Sequence, residues 1–272
     1  MTRSYACGVL ELRADCARCA ALCCVGPALT RSADFAIDKP AGEPCPNLRD
    51  DFRCGIHASL RTRGFPGCTV YDCFGAGQQV VQVTFGGATW RSSPELREDM
   101  LAAFAVLRPL HELLWHLDAA RRIAAAASLR PALDEQIATV SQLASSAAGE
   151  LSGVDVGALR ADADALLREA SRLARAGTPA RDLRGADLIG KKLRGADLTG
   201  ADLRSAYLIG ADLRGATLDR ADLIGADLRA ADVRGTDLSA TLFLTQPQVN
   251  AAVGDAATRL PDGLERPPHW TN

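Results

Sequence analysis

Residues 181–245 read RDLRG ADLIG KKLRG ADLTG ADLRS AYLIG ADLRG ATLDR ADLIG ADLRA ADVRG TDLSA TLFLT, and the reading of that stretch decides the fold. It advances in steps of five, with a large apolar residue at the centre of thirteen consecutive pentads: Leu183, Leu188, Leu193, Leu198, Leu203, Leu208, Leu213, Leu218, Leu223, Leu228, Val233, Leu238 and Phe243. Two positions before the centre stands a small residue, alanine in most pentads. A short fixed period marks a repeat architecture, in which each unit buries its apolar face only against its neighbours. Alanine permits close approach of backbone, and leucine supplies the burial.

The outward positions are charged in both senses. Aspartate immediately precedes the centre in nine pentads: Asp182, Asp187, Asp197, Asp202, Asp212, Asp222, Asp227, Asp232 and Asp237. Arg194, Arg214 and Arg234 form one series twenty residues apart, Arg184 and Arg204 another. Residues 181–245 carry ten acidic and ten basic groups, a net of zero. Aspartates recurring at one register have the character of turn-stabilising, solubilising side chains, and no residue here has a neighbourhood that marks it as catalytic.

This pattern resembles the pentapeptide repeat proteins. The resemblance implies a right-handed quadrilateral β-helix with four pentads per coil, Leu183 stacking on Leu203, Leu223 and Phe243. Thirteen pentads then make about three coils, a rod on the order of 15 Å long at ~4.8 Å per level. Gln246–Val253 is expected as a capping helix over the open end, followed by a proline-broken tail that Trp270 anchors. Some members of the family bind DNA gyrase and resemble duplex DNA in shape and negative charge. Three coils and a balanced surface argue against that role, since phosphate mimicry needs a sustained negative potential.

All nine cysteines precede residue 74, in the spacing Cys16-x2-Cys19-x3-Cys23-Cys24-x20-Cys45-x8-Cys54-x13-Cys68-x4-Cys73, with Cys7 outside the cluster. The first residues, MTRSYACGVLELRADC, break their apolar stretch with charge, unlike a signal peptide. Dense cysteine without an export signal points to metal rather than to a disulfide scaffold. Four thiolates suit tetrahedral zinc or an iron–sulfur cluster, so Cys16, Cys19, Cys23, Cys24, Cys45, Cys54, Cys68 and Cys73 suffice for two sites, or for one with spare thiols. In extended backbone adjacent Cys23 and Cys24 would point to opposite faces, which suits two sites or leaves one of the pair as a core residue. Asp15, Asp72 and His57 are further candidate ligands.

Cys16-x2-Cys19-x3-Cys23-Cys24, Cys45-Pro46-Asn47-Leu48, Cys54-Gly55-Ile56-His57 and Arg63-x4-Cys68-x4-Cys73 together resemble the YkgJ-type cysteine-cluster family, over roughly residues 16–74. His57 stands where that family has tyrosine, and Arg63 to Cys68 is looser than its RPxxC segment. The resemblance implies zinc or iron chelation, or an iron–sulfur centre. A structural metal staple, a redox or enzyme-accessory centre, and metal-free disulfides or reactive thiols all remain open at this point.

Beyond the cysteines, Phe74-Gly75-Ala76-Gly77 lacks the third glycine of a dinucleotide fingerprint. Alternation from Val80 to Phe85 predicts a short strand. Ser93-Pro94 reads as a helix start, and Leu96, Met100, Leu101, Phe104, Leu107, Leu110, Leu114 and Leu117 recur at helical spacing. Pro109 is expected to kink or divide that helix. Further helices are expected from Arg130-Pro131 to about Ala147 and from Asp155 to Arg175. His111 and His116 miss the i, i+4 spacing of a zinc-protease pair, diverging by about 140° around the helix.

The chain has 272 residues, 47% of them hydrophobic but only 5% aromatic, and a net charge of −2. No apolar run reaches the roughly 18 residues of a membrane span, and the charge balance argues against a nucleic-acid partner. The expected organisation is a cysteine-rich metal-binding module (1–92), a helical bundle or hairpin spacer (93–178), the pentapeptide-repeat β-helix (179–245) and a C-terminal cap and tail (246–272). The expected function is a cytoplasmic metal-binding scaffold or adaptor with a protein partner, a homodimer being one arrangement of the helices. An iron–sulfur redox or enzyme-accessory role and a gyrase-directed role are the alternatives, and enzymatic activity is left undecided.

Overall fold

Each pentad of the repeat contributes a single residue to a bridge and then turns. The computed structural model describes residues 10–179 and 181–270, so Cys7 lies outside the described residues. From Asp182 to Leu242 the bridges are parallel and pair residues twenty apart: Asp182 with Asp202, Asp187 with Tyr207, Lys192 with Asp212, and so on to Asp222 with Leu242. Around each bridge the backbone bonds in both directions, as where Leu183 N donates to Asp202 O (2.9 Å) and Asp202 N to Arg181 O (2.8 Å). A local bond from Ala186 N to Leu183 O (3.1 Å) then closes the turn.

The expected right-handed quadrilateral β-helix of about three coils is therefore corrected. Among the described residues there is no β-strand and no sheet; every bridge is isolated, and the regular elements are helical. The reason lies in the period itself. A strand needs consecutive pleated residues, which alternate faces, but a pentad spends its remaining residues on the turn and never pairs two in succession.

The interior of the stack is the row of pentad centres with the alanines between them. Leu198, Leu203, Leu208, Leu213, Leu218, Leu223, Leu228, Val233 and Leu238 are buried in one cluster with Ala201, Ala206, Ala211, Ala221 and Ala231. The first three centres, Leu183, Leu188 and Leu193, are only partly buried against it. Most turns close on a glycine in the left-handed region, such as Gly185 (φ +62°) and Gly235 (φ +67°); Ser205, Arg220 and Ala230 hold the same conformation at φ +54° to +56°.

The helices are α1 (Leu22–Val25), α2 (Pro66–Thr69), α3 (Ala76–Gln78), α4 (Arg97–Arg122), α5 (Arg130–Ala144), α6 (Ala148–Leu151), α7 (Val156–Ala174) and α8 (Gln246–Ala251). The first turn of α4 follows a 3-10 turn at Pro94–Leu96, and α4 runs through Pro109 without a break. Proline removes the donor that Ala105 O would accept from. Ala105 is exposed, so that carbonyl lies on the solvent side of the helix. The strand expected at Val80–Phe85 is instead a π-helical turn, Gln79–Thr84. Val80 and Val81, neighbours in sequence, are both buried, which does not fit a strand with one buried face.

The chain divides into two compact units: Leu129–Leu167 together with the chain up to Arg121, and Arg122–Ser128 together with the chain from Arg168 onward. In the first, α4 buries Met100, Phe104, Leu107, Leu110, Leu114 and Leu117, all anticipated by its periodicity, and α5 buries Leu133, Ile137 and Val140. In the second, α8 covers the end of the repeat. Thr245 N and Oγ1 both donate to Gln248 Oε1 (2.9 Å each), and Gln248 Nε2 donates to Leu223 O (2.7 Å). The tail is anchored as expected. Trp270 is buried, its Nε1 donates to Ala252 O (3.0 Å), and a Cβ on Gly254 would lie 2.4 Å from its ring.

Candidate functional site

The eight described cysteines are held by turns, with little regular structure. Cys45 N donates to Cys24 O (3.0 Å), Leu48 forms an antiparallel bridge with Cys54, and Cys68 sits in α2. Trp90 ties this loop-rich region together. Its Nε1 donates to Ala20 O (2.7 Å), Phe52 packs edge-on at 5.7 Å, and the Arg91 guanidinium stacks 4.9 Å from its ring. Gln78 does the same for the entering chain, accepting from Asp15 N (2.9 Å) and donating to Arg13 O (2.7 Å).

All eight are free thiols; Cys16 and Cys68 are exposed, Cys19 and Cys73 buried, the others half-buried. They sort into two electrostatic neighbourhoods. In one, a hydrogen bond from Cys19 lowers the Cys16 thiol to about 7, while Cys19 rises through the same bond, burial and the nearby Cys16 and Cys73. Burial also raises Cys73. In the other, burial pushes Cys68 up to about 12, reinforced by Cys24, Cys45 and Cys54, and burial raises Cys54, which also feels Cys24 and Cys45. The two neighbourhoods meet at Cys23 and Cys24, which lie in α1 and not in extended backbone. Their shared hydrogen bond raises the first and lowers the second; Cys23 also interacts with Cys19 and Cys73, and Cys24 with Cys16.

That sorting does not amount to a ligand set. Among the described residues no three side chains of His, Cys, Asp or Glu are grouped to hold a metal ion. The expected ligands meet in pairs, such as Cys16 with Cys19 and Cys23 with Cys24, rather than in fours. As arranged, then, the thiols do not fit a metal directly, and no step is derived through one. The other candidates are used elsewhere. Asp15 Oδ2 accepts from Arg18 Nε (2.7 Å), Asp72 Oδ1 accepts from Phe74 N (2.7 Å), and His57 is exposed on a 3-10 turn. His111 is fully buried, its Nδ1 bonded to Phe74 O (2.8 Å), and burial lowers it to about 4.

Sequence reasoning missed Lys39. It is 4% exposed, and its Nζ donates to Val25 O (3.1 Å), Pro40 O (2.8 Å) and Glu43 O (2.8 Å). Burial lowers its pKa, and Cys45 and Cys24 act in the opposite direction. The buried ammonium in turn acts to lower the Cys24 thiol, favouring its thiolate form. A lone lysine in a proline-flanked loop carries no periodic signal that announces this.

The nine repeat aspartates have one shared task. Each accepts the backbone N–H two residues on through Oδ1: Arg184, Ile189, Thr199, Arg204, Arg214, Ile224, Arg229, Arg234 and Ser239, at 2.9–3.3 Å. This is the local side-chain-to-backbone bond that makes aspartate a turn residue. Arginines close on the same carboxylates, as with Arg214 on Asp212 (2.7 Å) and Arg234 on Asp232 (2.6 Å). Arg204 with Asp222 is different in kind, a buried pair at 2.7 Å.

Among the described residues no helix is long and apolar enough to cross a membrane. The family of pentapeptide repeats matches this chain in eight copies, over residues 182–220 and 206–243; that match does not reach the cysteines. The whole chain is similar to the "Uncharacterized protein YybG" of Bacillus subtilis (strain 168), with 51% identity over 265 residues, 96% of this chain and 95% of the relative. Identity at that level over nearly the full length of both shows that the chain belongs to the YybG family, and its repeats are pentapeptide repeats.

Proposed function

We propose that this protein is a protein-interaction scaffold, with the pentapeptide-repeat region as its docking surface. The observation that carries this reading is the common use of the nine aspartates. Each is spent on its own turn, and most of the arginines beside them close on those carboxylates. A surface whose charges are answered locally is rigid and nearly neutral in the far field, which suits shape-specific contact with a protein and not capture of a polyelectrolyte. Ile189 and Tyr207, about half exposed, supply apolar contact on that surface. The test compares partners retained by the intact protein and by an Ile189→Asp/Tyr207→Asp variant of unchanged circular dichroism. A defined partner retained by the first and lost by the second is expected; identical sets defeat the reading.

A second reading concerns the thiols. Eight of them in two neighbourhoods, with a buried lysine beside one, support uptake of zinc or an iron–sulfur cluster by a rearrangement that turns pairs into fours. Cys16, Cys19, Cys23 and Cys73 would serve one site, and Cys24, Cys45, Cys54 and Cys68 the other. Anaerobic purification with metal, sulfide and thiol analysis tests it. Metal present and diminished by Cys68→Ser supports it; no metal, no sulfide and nine freely titrating thiols would sink it.

A further inference from the structure

Arg168, Arg172 and Arg175 follow one another at helical spacing, so the end of α7 and its exit carry them on one face. Arg184 and Arg204 are twenty residues apart on successive levels of the repeat, joined where Gly185 N donates to Arg204 O (2.8 Å). Both rows line one cavity of about 310 Å³, together with Asp182 and Asp202. Five guanidinium groups thus line the cavity with two carboxylates, and Asp222 and Glu169, paired with Arg204 and Arg172, partly offset them from outside the lining.

The neighbouring acids fix the arginines rather than fill the space. Arg184 leans on Asp182 (2.6 Å), Arg175 on Asp202 (3.2 Å), Arg204 on Asp222 behind the wall (2.7 Å), and Arg172 on Glu169 outside it (2.6 Å). Arg175 is further fastened to Ser171 Oγ (3.0 Å) and Gly200 O (3.3 Å). Each guanidinium has five donors in a planar fork, more than one carboxylate can take. The side chains of Arg175 and Arg204 are 13% and 8% exposed and those of Arg172 and Arg184 64% and 50%, so the cavity has a sheltered floor and an open mouth. Charge is felt more strongly over such a sheltered floor than in open water. The volume is at the small end of those that hold small ligands.

We propose that this cavity binds a ligand bearing two linked phosphoryl groups, either free pyrophosphate or the diphosphate of a nucleotide. Five guanidinium forks on the lining favour an anion over a neutral ligand, and a single carboxylate would answer one fork and leave the others facing it. Linked phosphoryl groups present acceptor oxygens in several directions at once, which matches rows of forks on two walls. A nucleoside attached to them would extend through the mouth.

Calorimetric titration of the full chain with inorganic pyrophosphate at low ionic strength tests this. Saturable one-to-one binding is expected, weakened about tenfold by Arg172→Ala and again by Arg184→Ala, each removing a charge-assisted bond from an exposed position. Arg194→Ala, in the same repeat but outside the lining, is expected to bind as the unaltered protein does. Given that pattern, a parallel titration with ADP assigns the source: equal or tighter binding points to a nucleotide, and failure to bind points to free pyrophosphate. Absence of saturable pyrophosphate binding overturns the proposal. So does a loss in Arg194→Ala as large as that in the lining variants, which would show a diffuse charge effect.

Discussion

The repeat and the thiol-bearing region solve the same problem, satisfying backbone that is neither helix nor strand, by opposite means. In the repeat the solution is local and reiterated: an aspartate accepts the N–H two residues on, a glycine takes the left-handed turn, and a leucine goes inward. Among the thiols the solution is long-range and different at every point. Trp90 reaches back to Ala20, Gln78 to Arg13, and Lys39 to three carbonyls. The first design spreads stability over many equivalent parts, as expected of repeat proteins; the second concentrates it in a few anchors.

The sharpest way to break that comparison is to remove one core side chain from each. Trp90→Ala deletes an anchor with no counterpart and is expected to cost about 3–5 kcal/mol. Leu203→Ala, fully buried in the repeat, is expected to cost about 2–4 kcal/mol, with its neighbouring levels still bridged. Urea denaturation of the otherwise unaltered chain, followed by far-ultraviolet circular dichroism, scores Trp90→Ala and Leu203→Ala. The fluorescence of Trp270 or of Trp115 alone, with the other two tryptophans replaced by Phe, reads the repeat and the helical unit separately. Equal losses for the two substitutions would erase the contrast.

Within the repeat, Asp222→Asn separates the buried pair from its exposed equivalents. It leaves Arg204 buried without its carboxylate, at an expected cost of about 3 kcal/mol, whereas Asp187→Ala removes only an exposed turn bond and is expected to cost below about 1 kcal/mol. Matched urea curves of the two variants decide it.

Acid separates the units differently. His111 has a folded pKa lowered to about 4 by burial, so the unfolded chain takes the proton first as pH falls below about 6.5. Its contribution is complete above that value and is lost down to about pH 4, roughly 3 kcal/mol in all. In the repeat, the hydrogen bonds from Arg184 and Arg214 hold Asp182 and Asp212 at about 2. These lowered carboxylates lose their contribution only as pH falls from about 4 through 2. The Trp115 signal is therefore expected to show weakening between pH 6.5 and 4 that His111→Phe abolishes, while the Trp270 signal stays level. A further small effect runs the other way. Ala230 is exposed and holds φ +55°, so Ala230→Gly is expected to raise stability by about 1 kcal/mol.

The same contrast explains what could be read before the structure. Pentad centres, their alanines and the turn role of the aspartates were all visible, because in a repeat each position states its job many times. The step from five-residue period to β-helix failed, since one bridging residue per pentad makes no strand. The Val80–Phe85 strand failed for a related reason: its alternation covered too few residues to reveal that Val80 and Val81 are both buried. Pro109 does not divide its helix, because breaking one depends on where the orphaned carbonyl points. For the thiols, residue types and spacing were legible, but Cys23 and Cys24, expected on opposite faces of extended backbone, lie together in α1 and share a hydrogen bond; that pairing and Lys39 depend on contacts that no local pattern encodes.

The twenty-residue register has a consequence for how this protein can change over generations. Excision or duplication of twenty residues within the bridged stretch returns each remaining side chain to the same side of the stack, whereas a five-residue indel moves every later face around by one position. The register itself stretches to 21 at Asp232–Val253 and 22 at Asp237–Arg259, where α8 and the tail are spliced in. Length in the middle is thus open to inheritance in whole levels, while the last level, with its Trp270 lock, is closed to it.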